Sequence, residues 1–397
     1  MVKVTITRTI EIPDVVKLER YRRLPELGPK ILFFSGGSAL KKLSQHLIHY
    51  THNSIHLITP FDSGGSSAVL RKAFAMIAVG DLRNRLMALA DQSVRGAPDI
   101  YELFAMRFAQ HSNEVLKLEL DDLVRGRHPL IQKVSHSMRK IIRYNLQFFA
   151  KKMPKDFPLQ GANIGNLILT GGYLNYSRNI DSVIFLFAKL VEARGIVRPI
   201  IGSNYHLAAE LEDGQTLIGQ HIITGKETPA ITSPIKRVYL TKSLENKEEV
   251  YPTIPGKIKK TIKKAELICY PMGSFYSSLI AHFLPKHTAK AIAQNSCPKI
   301  FILNYGKDPE QLGMTPSLMV KTLLSYLQRD FDEEIAVDKL LNFVVLDSKS
   351  DQYPNIEKEI QIITNMGIQV IDASLIDKES KPFIDATKLI DILLSFT

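Results

Sequence analysis

Short apolar runs that close on glycine turns alternate with helical periodicity in the first part of the chain. The segment ILFFSGG at 31–37 is such a run, a helical pattern follows at 39–51, and SIHLITPFDSGGSS at 54–67 repeats the run and its turn. A strand, a glycine turn, a helix and a second strand are typical of a βαβ unit. The two strands of such a unit are parallel and are joined by a right-handed crossover.

A long helical segment follows these first strands. Over residues 68–159 apolar side chains recur every three or four positions, which predicts several helices. We place an inserted helical segment at about residues 95–160. Residues 1–30, with a short strand and a charged helix, are predicted to form an N-terminal extension to an α/β domain over 31–397.

Short strands return in the second half of the chain. A turn at Asp213 and Gly214 separates two of them, within the segment HLAAELEDGQTLIGQH. The segments AELICYPMGS and KIFILNYG again end on glycine turns, and strands alternate with helices up to the C-terminal helix ATKLIDILLSF. These units predict an α/β fold with a Rossmann-like, doubly wound, mostly parallel sheet and an inserted helical segment.

Ligands of doubly wound sheets bind beyond the carboxyl ends of the strands. We therefore expect the turns that follow four predicted strands to converge on one site. These strands end at Ser35, Pro60, Pro271 and Tyr305.

Composition places the chain among ordinary globular proteins. It has 397 residues, of which 45% are hydrophobic and 23% charged. No apolar run approaches the roughly 20 residues that cross a bilayer, and the N-terminus lacks the apolar core of a signal peptide. We expect a cytoplasmic protein without a membrane partner. Cys269 and Cys297 form no C-x-x-C pair, so neither a disulfide framework nor a thiolate zinc site is indicated.

The net charge of +11 favours an anionic partner, which could be nucleic acid, lipid or a phosphorylated small molecule. The densest basic run, at 257–264, has Ile258 and Ile262 four residues apart. This spacing predicts an amphipathic helix with a solvent-exposed lysine face, which we favour over a nucleic-acid or membrane footprint. No nucleic-acid partner is therefore predicted.

Five turns carry candidate chemistry, because small and polar residues lie at predicted strand ends or helix starts. They contain Gly36, Gly37 and Ser38; Asp62, Ser63, Gly64, Gly65 and Ser66; Asp81, Arg83 and Asn84; Asn163, Gly165 and Asn166; and Gly273 and Ser274. Small residues between a strand and a helix let backbone N–H groups approach a phosphate.

Two of these turns also carry charge. Asp62 could hold Mg²⁺ while neighbouring amides and hydroxyls bind phosphate oxygens, although aspartate and serine also cap helices. Arg83 and Arg85 could donate to phosphate, although an Asp81–Arg85 pair one helical turn apart is the structural alternative.

Four histidines are spaced three or four residues apart, at His46, His49, His52 and His56. Asn53 and Ser54 interrupt the helical pattern before His56, so we do not favour a metal site on one helix face. The chain also lacks a G-x-S-x-G elbow or any other sign of a nucleophilic triad.

The ordered series of these motifs resembles the CofD and YvcK superfamily. It comprises GGSA at 36–39, DSGGSSAVLR at 62–71, GDLRNRLMALAD at 80–91, NIGNL at 163–167, PMGSFYSS at 271–278 and ILNYGKDPEQLG at 302–313. The resemblance implies a Rossmann-like fold, frequent homodimers and one of two activities. CofD proteins use Mg²⁺ to transfer a phospholactyl group from lactyl-diphospho-guanosine to a deazaflavin hydroxyl, with release of GMP. YvcK-like relatives bind nucleotide sugars and act in regulation.

The chain departs from the family pattern at three places. Ser38 and Ala39 replace the threonine and glycine of G-G-T-G, Ser63 stands where a second aspartate is usual, and Met272 occupies a glycine position. A divergent branch with another substrate is the resulting expectation.

The first hypothesis is a transferase that uses a nucleoside diphosphate-linked donor. It assigns Asp62 as Mg²⁺ ligand, Arg83 as oxyanion stabiliser, and Asp81 as the group that orients Arg83 or accepts a proton. The glycine turns would form the phosphate cradle, and Asn166, Gly273 and Ser274 would line the donor site. The alternative is a nucleotide-sugar-binding regulator without turnover, which the missing second aspartate favours. A nucleic-acid-binding protein is the least favoured hypothesis.

Overall fold

The chain folds around two β-sheets. The computed structural model describes residues 9–91, 93, 96–225 and 228–397. The strands are β1 Ile31–Ser35, β2 Ile55–Ile58, β3 Ile196–Pro199, β4 His206–Leu211, β5 Thr216–Ile218, β6 Ile235–Thr241, β7 Glu249–Val250, β8 Leu267–Tyr270, β9 Lys299–Ile302, β10 Phe343–Leu346 and β11 Gln369–Asp372. Seven of them form a parallel sheet in the order β11-β10-β9-β8-β1-β2-β3.

Helices surround both sheets. They are α1 Val15–Arg23, α2 Lys41–Leu47, α3 Gly65–Phe74, α4 Gly80–Ala88, α5 Pro98–Ala105, α6 Asn113–Arg125, α7 Pro129–Lys133, α8 His136–Lys152, α9 Ile164–Asn175, α10 Ile180–Leu190, α11 Gln220–Ile223, α12 Gly256–Lys263, α13 Thr288–Ala293, α14 Pro316–Gln328, α15 Ile356–Asn365 and α16 Ala386–Ser395. Among the described residues, no helix is both long and apolar enough to cross a bilayer.

The central strands are apolar throughout because helices cover both faces of the parallel sheet. In β1, Ile31 and Phe33 pack into a core with side chains of α2 and α16, whereas Leu32 and Phe34 pack on the opposite side with α12 and α14. All five residues of β1 are buried. The fold is therefore the predicted Rossmann-like, doubly wound α/β architecture.

The strand order changes direction next to β1. From β1 the chain steps outward to β2 and β3, and after the strands β4, β5, β6 and β7 it returns to β8 on the other side of β1. Leu32 pairs with Ile55 of β2 and with Ile268 of β8. This places the topological switch point between β1 and β8, where doubly wound sheets open a crevice for ligands.

The helical segment between β2 and β3 builds its own apolar core. Phe104, Phe149 and Phe187 belong to this core, which also receives Ile58 from the sheet. The insert predicted at about 95–160 lies within this segment. Its exact bounds, like those of the N-terminal extension, stay a prediction. The strand predicted near the N-terminus falls largely on residues 1–8, which lie outside the described residues.

The short strands predicted between about residues 206 and 241 belong to a separate sheet. It is antiparallel with the order β5-β4-β6-β7, and Asp213 and Gly214 form the predicted turn between β4 and β5. The lysine-rich run also folds as predicted. Helix α12 buries Ile258 and Ile262 completely and exposes most of its lysines, while Lys257 forms an ion pair with Asp181.

Candidate functional site

A polar cavity of about 480 Å³ opens beyond the carboxyl ends of β1, β2 and β8. From the predicted set it is lined by Gly36, Gly37, Ser38, Asp62, Gly64, Asp81, Asn84, Gly273 and Ser274. It is also lined by Ala39, Leu40, Arg107, Gln220, His221, Thr224, Met272 and Ser278. Three of the four predicted strand-end turns therefore meet at the switch point.

The loop after β1 needs glycine because it lies against two other elements. A Cβ atom at Gly36 would come within 2.3 Å of the Ser278 hydroxyl, and one at Gly37 within 2.8 Å of an Asp81 carboxylate oxygen. These contacts bring the loop after β8 and the start of α4 to the same cavity wall. A side chain at Gly36 would push the loop after β1 away from the loop after β8, and a side chain at Gly37 would push it away from the start of α4.

Arg85 holds this loop from beneath. Its guanidinium donates to the carbonyl oxygens of Leu40 at 2.8 Å, Gly37 at 3.2 Å and Gly36 at 3.3 Å, and to the Ser44 hydroxyl. The side chain is 1% exposed, and burial lowers the pKa of Arg85 to about 10, so it stays charged at neutral pH. The prediction that Arg85 could donate to phosphate is wrong, because Arg85 is buried beneath the loop, does not line the cavity, and directs its two terminal nitrogens at backbone carbonyls and at Ser44.

Asp62 lies at the end of the loop after β2. One carboxylate oxygen accepts a hydrogen bond from the Gly64 backbone at 3.1 Å. The buried Arg71 donates to the carbonyl oxygens of Phe61 at 2.9 Å and Asp62 at 3.0 Å, and to the side chain of Asn204 at 2.8 Å. The loop is thereby tied to the segment that leads into β4, and the Asp62 carboxylate borders the cavity.

Asp81 borders the same cavity from the first turn of α4. A Cβ atom at Gly80 would lie 2.6 Å from the Ser67 hydroxyl and 3.5 Å from an Asp62 oxygen. The starts of α3 and α4 therefore pack closely, and this packing brings the two carboxylates to one wall.

Arg83 lies behind the cavity wall and does not belong to the lining residues. It is 9% exposed, and its Nε donates to the side-chain oxygen of Asn166 at 3.3 Å. Burial, and then nearby Arg107, lower the pKa of Arg83 to about 10, against a smaller opposing effect of Asp81. Arg83 therefore adds a buried positive charge near Asp81.

The asparagine motif caps a helix. The Asn163 side chain accepts from the Asn166 backbone at 3.0 Å at the start of α9, and it donates to the Met106 carbonyl at 3.0 Å. Asn166 donates to the Ser66 hydroxyl at 3.1 Å. Gly165 packs against the Phe104 carbonyl, where a Cβ atom would come within 2.7 Å. The structure places Asn163, Gly165 and Asn166 outside the polar cavity.

Three lining residues that sequence reasoning missed come from the second sheet. Gln220, His221 and Thr224 follow Gly219, whose φ of +114° is a backbone conformation that favours glycine. The Ser63 hydroxyl lies 2.8 Å from His221 Nδ1 and accepts from the His221 backbone at 3.3 Å. Ser63 therefore positions His221 and does not itself line the cavity. The Gly219 turn after a short strand was the signal that could have indicated this group.

Two acidic residues anchor the loop after β8. Asp308 accepts from the Phe275 backbone at 2.8 Å, and Glu310 accepts from the backbones of Tyr276 and Ser277, each at 2.8 Å. These bonds cap the π-helical turn Phe275–Leu279 that follows Gly273 and Ser274. Burial, and then the nearby Asp308, raise the pKa of Glu310 to about 7.

The fourth predicted turn does not line the polar cavity. Tyr305, after β9, instead borders a second cavity of about 530 Å³ together with Asp347. The prediction that this turn joins the site is wrong. The segment that follows Tyr305 contributes indirectly, because it supplies Asp308 and Glu310.

The four histidines that are spaced three or four residues apart stay outside the polar cavity. His56 is buried in β2 and stacks on Phe33 with the ring centroids 5.1 Å apart. Burial, and then Arg85, hold the pKa of His56 well below its usual value. Within the described part of the chain, no three histidine, cysteine, aspartate or glutamate side chains cluster so that they could hold a metal ion by themselves.

Fold and site together define a Rossmann-like α/β protein with a polar cavity at its switch point. The family model for 2-phospho-L-lactate transferase CofD matches residues 31–379, and the chain belongs to this family.

Two curated proteins and one solved structure are similar to this chain. A putative gluconeogenesis factor from Nostoc is 26% identical over 97% of this chain and 72% of its own length. The gluconeogenesis factor of Bacillus subtilis is 26% identical over 86% of this chain and 90% of its own length. A crystal structure of a UPF0052 family protein from Bacillus halodurans has the same fold, with a TM-score of 0.67, 21% identity and coverage of 93% of this chain and 99% of that chain.

Proposed function

We propose that the chain is a transferase that moves a phospholactyl-type group from a nucleoside diphosphate-linked donor to an acceptor hydroxyl, with release of a nucleoside monophosphate. The observation that carries this proposal is the shared cavity, in which the glycine loops after β1 and β8 face the Asp62 and Asp81 carboxylates. A donor of the lactyl-diphospho-guanosine type and an acceptor of the deazaflavin type are the family-based candidates.

The donor set fits Mg²⁺. Magnesium is usually held by one or two carboxylates, with substrate phosphates and water as the remaining ligands. Asp62 and Asp81 both border the cavity, and Asp62 keeps its second oxygen free of the Gly64 hydrogen bond. When bound, the ion would neutralise charge on the diphosphate and lower the barrier to transfer.

The remaining lining groups would bind the phosphate oxygens of the donor and orient them. Backbone amides of Gly37 and Ser38, before α2, would approach the phosphate oxygens without side-chain obstruction. Arg107 and His221 supply side-chain donors from two other elements. Transfer of this type depends mostly on positioning and charge neutralisation, and a preformed polar cavity provides both.

The test is release of GMP from lactyl-diphospho-guanosine in the presence of Mg²⁺ and a deazaflavin acceptor. Asp62→Asn and Asp81→Asn should each lower turnover about 100-fold, because loss of one charge-stabilising group costs on that order. Asp332→Asn, on the exposed surface, is the matched control and should leave turnover unchanged. Equal turnover in Asp62→Asn and the control would exclude the metal-binding role of Asp62.

A second candidate is a nucleotide-sugar-binding regulator without turnover. Ser63 favours this candidate, because it stands where the family usually has a second aspartate and its hydroxyl contacts His221. The relatives named gluconeogenesis factor favour it as well. Saturable binding of a UDP-sugar by the intact chain, with no product formed from either donor, would support this candidate against the transferase.

A further inference from the structure

A basic groove lies at the opposite end of α3 from the polar cavity. It has a volume of about 480 Å³ and lies where the C-terminal ends of α3, α8 and α9 meet. An α-helix rises 1.5 Å per residue, so the length of α3 separates this groove from the glycine turn at Gly64 by roughly 15 Å. The groove is lined by Lys72, Ala73, Phe74, Ala75, Phe148, Lys152, Leu174 and Arg178.

The floor of the basic groove is apolar and belongs to a packed core. The Phe74 ring is 7% exposed and lies edge-on against Phe149, with the ring centroids 5.8 Å apart. Its centroid lies 6.2 Å from that of Phe157. These three rings belong to the core of the helical segment, whereas Phe148 and Leu174 stay half-buried. An apolar side chain of another molecule would therefore meet a preformed apolar floor.

The rim of the basic groove is positively charged. Among the described residues that line it, three are basic and none is acidic. Lys72 on α3 and Lys152 on α8 are exposed, and Arg178 follows α9. In the part of the chain that the structure describes, neither lysine side chain forms an ion pair or a hydrogen bond. Both ammonium groups are therefore available to an anion from outside.

The neighbouring helix ends account for one of these cations. Positive side chains are favourable at helix C-termini, where free carbonyl groups carry partial negative charge. Arg178 Nη1 donates to the carbonyl oxygens of Phe74 at 3.0 Å and Ala75 at 3.2 Å, so Arg178 caps the end of α3. Lys72 and Lys152 make no such bond within the described residues, and helix capping does not explain why they face one groove.

An acidic peptide segment with an apolar anchor side chain fits this groove best. Peptide-binding grooves combine a pocket for an anchor with charges that complement the partner. A polybasic membrane site usually presents about four to eight lysines or arginines, more than this rim provides. The N-terminal residues 1–8 of the chain itself include Lys3 and Arg8 and no acidic residue, so they do not complement the groove.

We propose that the basic groove is a docking site for a partner protein. The partner places one aromatic or aliphatic side chain on the floor and pairs acidic residues beside it with Lys72 and Lys152. This docking site is independent of the proposed transferase function. Because the groove and the polar cavity lie at opposite ends of α3, the partner and a ligand of the polar cavity can be bound together.

The test measures fluorescence polarisation of a fluorescein-labelled peptide with phenylalanine between two pairs of aspartates. The intact chain should bind it saturably at low salt, and binding should weaken as salt screens the rim charges. Lys72→Glu and Lys152→Glu should each weaken binding about tenfold, because each replaces an attraction at the rim with a repulsion. Pyrophosphate affinity in the presence of Mg²⁺ should stay unchanged in both variants.

Matched controls separate the groove from the overall charge of the chain. Lys140→Glu makes the same charge reversal on an exposed position of α8 outside the groove and should leave peptide affinity unchanged. On the peptide side, serine in place of phenylalanine, or asparagine in place of the aspartates, should each weaken binding to the intact chain about tenfold. These two peptides test the proposal on the intact chain even if a lysine variant does not fold, which thermal melting checks.

Three results would overturn the proposal. The first is no saturable binding of the aspartate–phenylalanine peptide to the intact chain. The second is equal weakening by Lys140→Glu and the two groove variants, because binding would then follow net charge alone. The third is binding of the intact chain to phosphatidylserine vesicles, lost in Lys72→Glu, without binding of the peptide. The groove would then hold a membrane surface and not a protein.

Discussion

Neighbouring arginines of one short helix differ in what they bind. Arg83 contacts Asn166 of α9, whereas Arg85 donates to the loop after β1. Both are buried, and both keep a positive charge near the cavity because their pKa values stay near 10. Side chains two positions apart on a helix point about 200° apart, so each meets a different neighbour.

The protonation of His221 follows from its contact with Ser63. The Ser63 oxygen accepts from the His221 backbone at 3.3 Å, and its hydroxyl hydrogen can donate to Nδ1, which lies 2.8 Å away. We therefore expect neutral His221 to carry its proton on Nε2, as a donor to a phosphate oxygen. Nitrogen-15 NMR of the imidazole should show this tautomer, and Ser63→Ala should give a mixture of both. A proton on Nδ1 in the intact chain would contradict the assignment.

Glu310 should make stability depend on pH. Its pKa in the folded chain is raised to about 7 from the ordinary value of 4.5, so the folded state binds more protons than the unfolded state between these pH values. The stabilisation from the protonated form is complete below about pH 4.5 and is lost as the pH rises through about 7.

Urea unfolding measures this effect. The free energy of unfolding of the intact chain, relative to Glu310→Gln, should fall as the pH increases from about 5 to about 8. Glutamine stays uncharged throughout, so it removes this titration. A constant difference across the range would show that Glu310 does not titrate there.

At the scale of elements, the cavity depends on close contact between loops from non-adjacent parts of the chain. Gly36 approaches Ser278 after β8, and Gly80 approaches Ser67 of α3. Arg71 then links the loop after β2 to the segment before β4 through Asn204. The walls of the polar cavity are therefore positioned by contacts between loops and helix starts, and not by one strand or helix alone.

Gly36→Ala tests this dependence. The added Cβ atom would lie 2.3 Å from the Ser278 hydroxyl, so the loops after β1 and β8 must separate. We expect pyrophosphate affinity to fall between about 10-fold and 100-fold in calorimetry, since a displacement near 1 Å has this effect on positioned groups.

The matched control is Gly256→Ala, where the structure has no atom within 4 Å of the new Cβ atom. The double variant Gly36→Ala/Ser278→Gly removes the nearest obstruction and should recover part of the lost affinity. Full affinity in the single variant would show that the two loops are free to move apart.

At the scale of the whole molecule, the polar cavity joins three structural units. The parallel sheet supplies Asp62 and Gly273, the helical segment supplies Arg107, and the second sheet leads to His221. A ligand in this cavity therefore contacts all three units at once. The net charge of +11 favours an anionic ligand but does not place its site.

Ligand binding should stabilise these units together. Pyrophosphate with Mg²⁺ at about 100 times its dissociation constant should add about 2.7 kcal/mol to the free energy of unfolding. Differential scanning calorimetry should show a single transition moved to higher temperature, and Asp62→Asn should reduce the shift. An unchanged melting temperature at saturating pyrophosphate would contradict the proposed site.

Local patterns of apolar and small residues in the sequence were sufficient to predict the parallel sheet and the glycine loops. The loops after β1, β2 and β8 were predictable because apolar runs that end on small residues have a regular place in doubly wound sheets. His221 and Arg107 were not predicted as lining residues. Only the Gly219 turn after a short strand indicated the region of His221, and Arg107, two residues after α5, lies in no recognised motif. Asn163 and Asn166 were predicted as residues of the ligand site, whereas the structure shows the Asn163 side chain capping α9.

The order of apolar runs, turns and helices therefore determined the fold class, the carboxyl-end location of the site and the family. Tertiary structure alone decided which charged side chains line the cavity and which support it. The physical reason is that strands and the turns at their carboxyl ends are formed by residues that are neighbours in sequence. The direction and partners of Arg83, Arg85 and Ser63 depend instead on packing against elements that are distant in sequence.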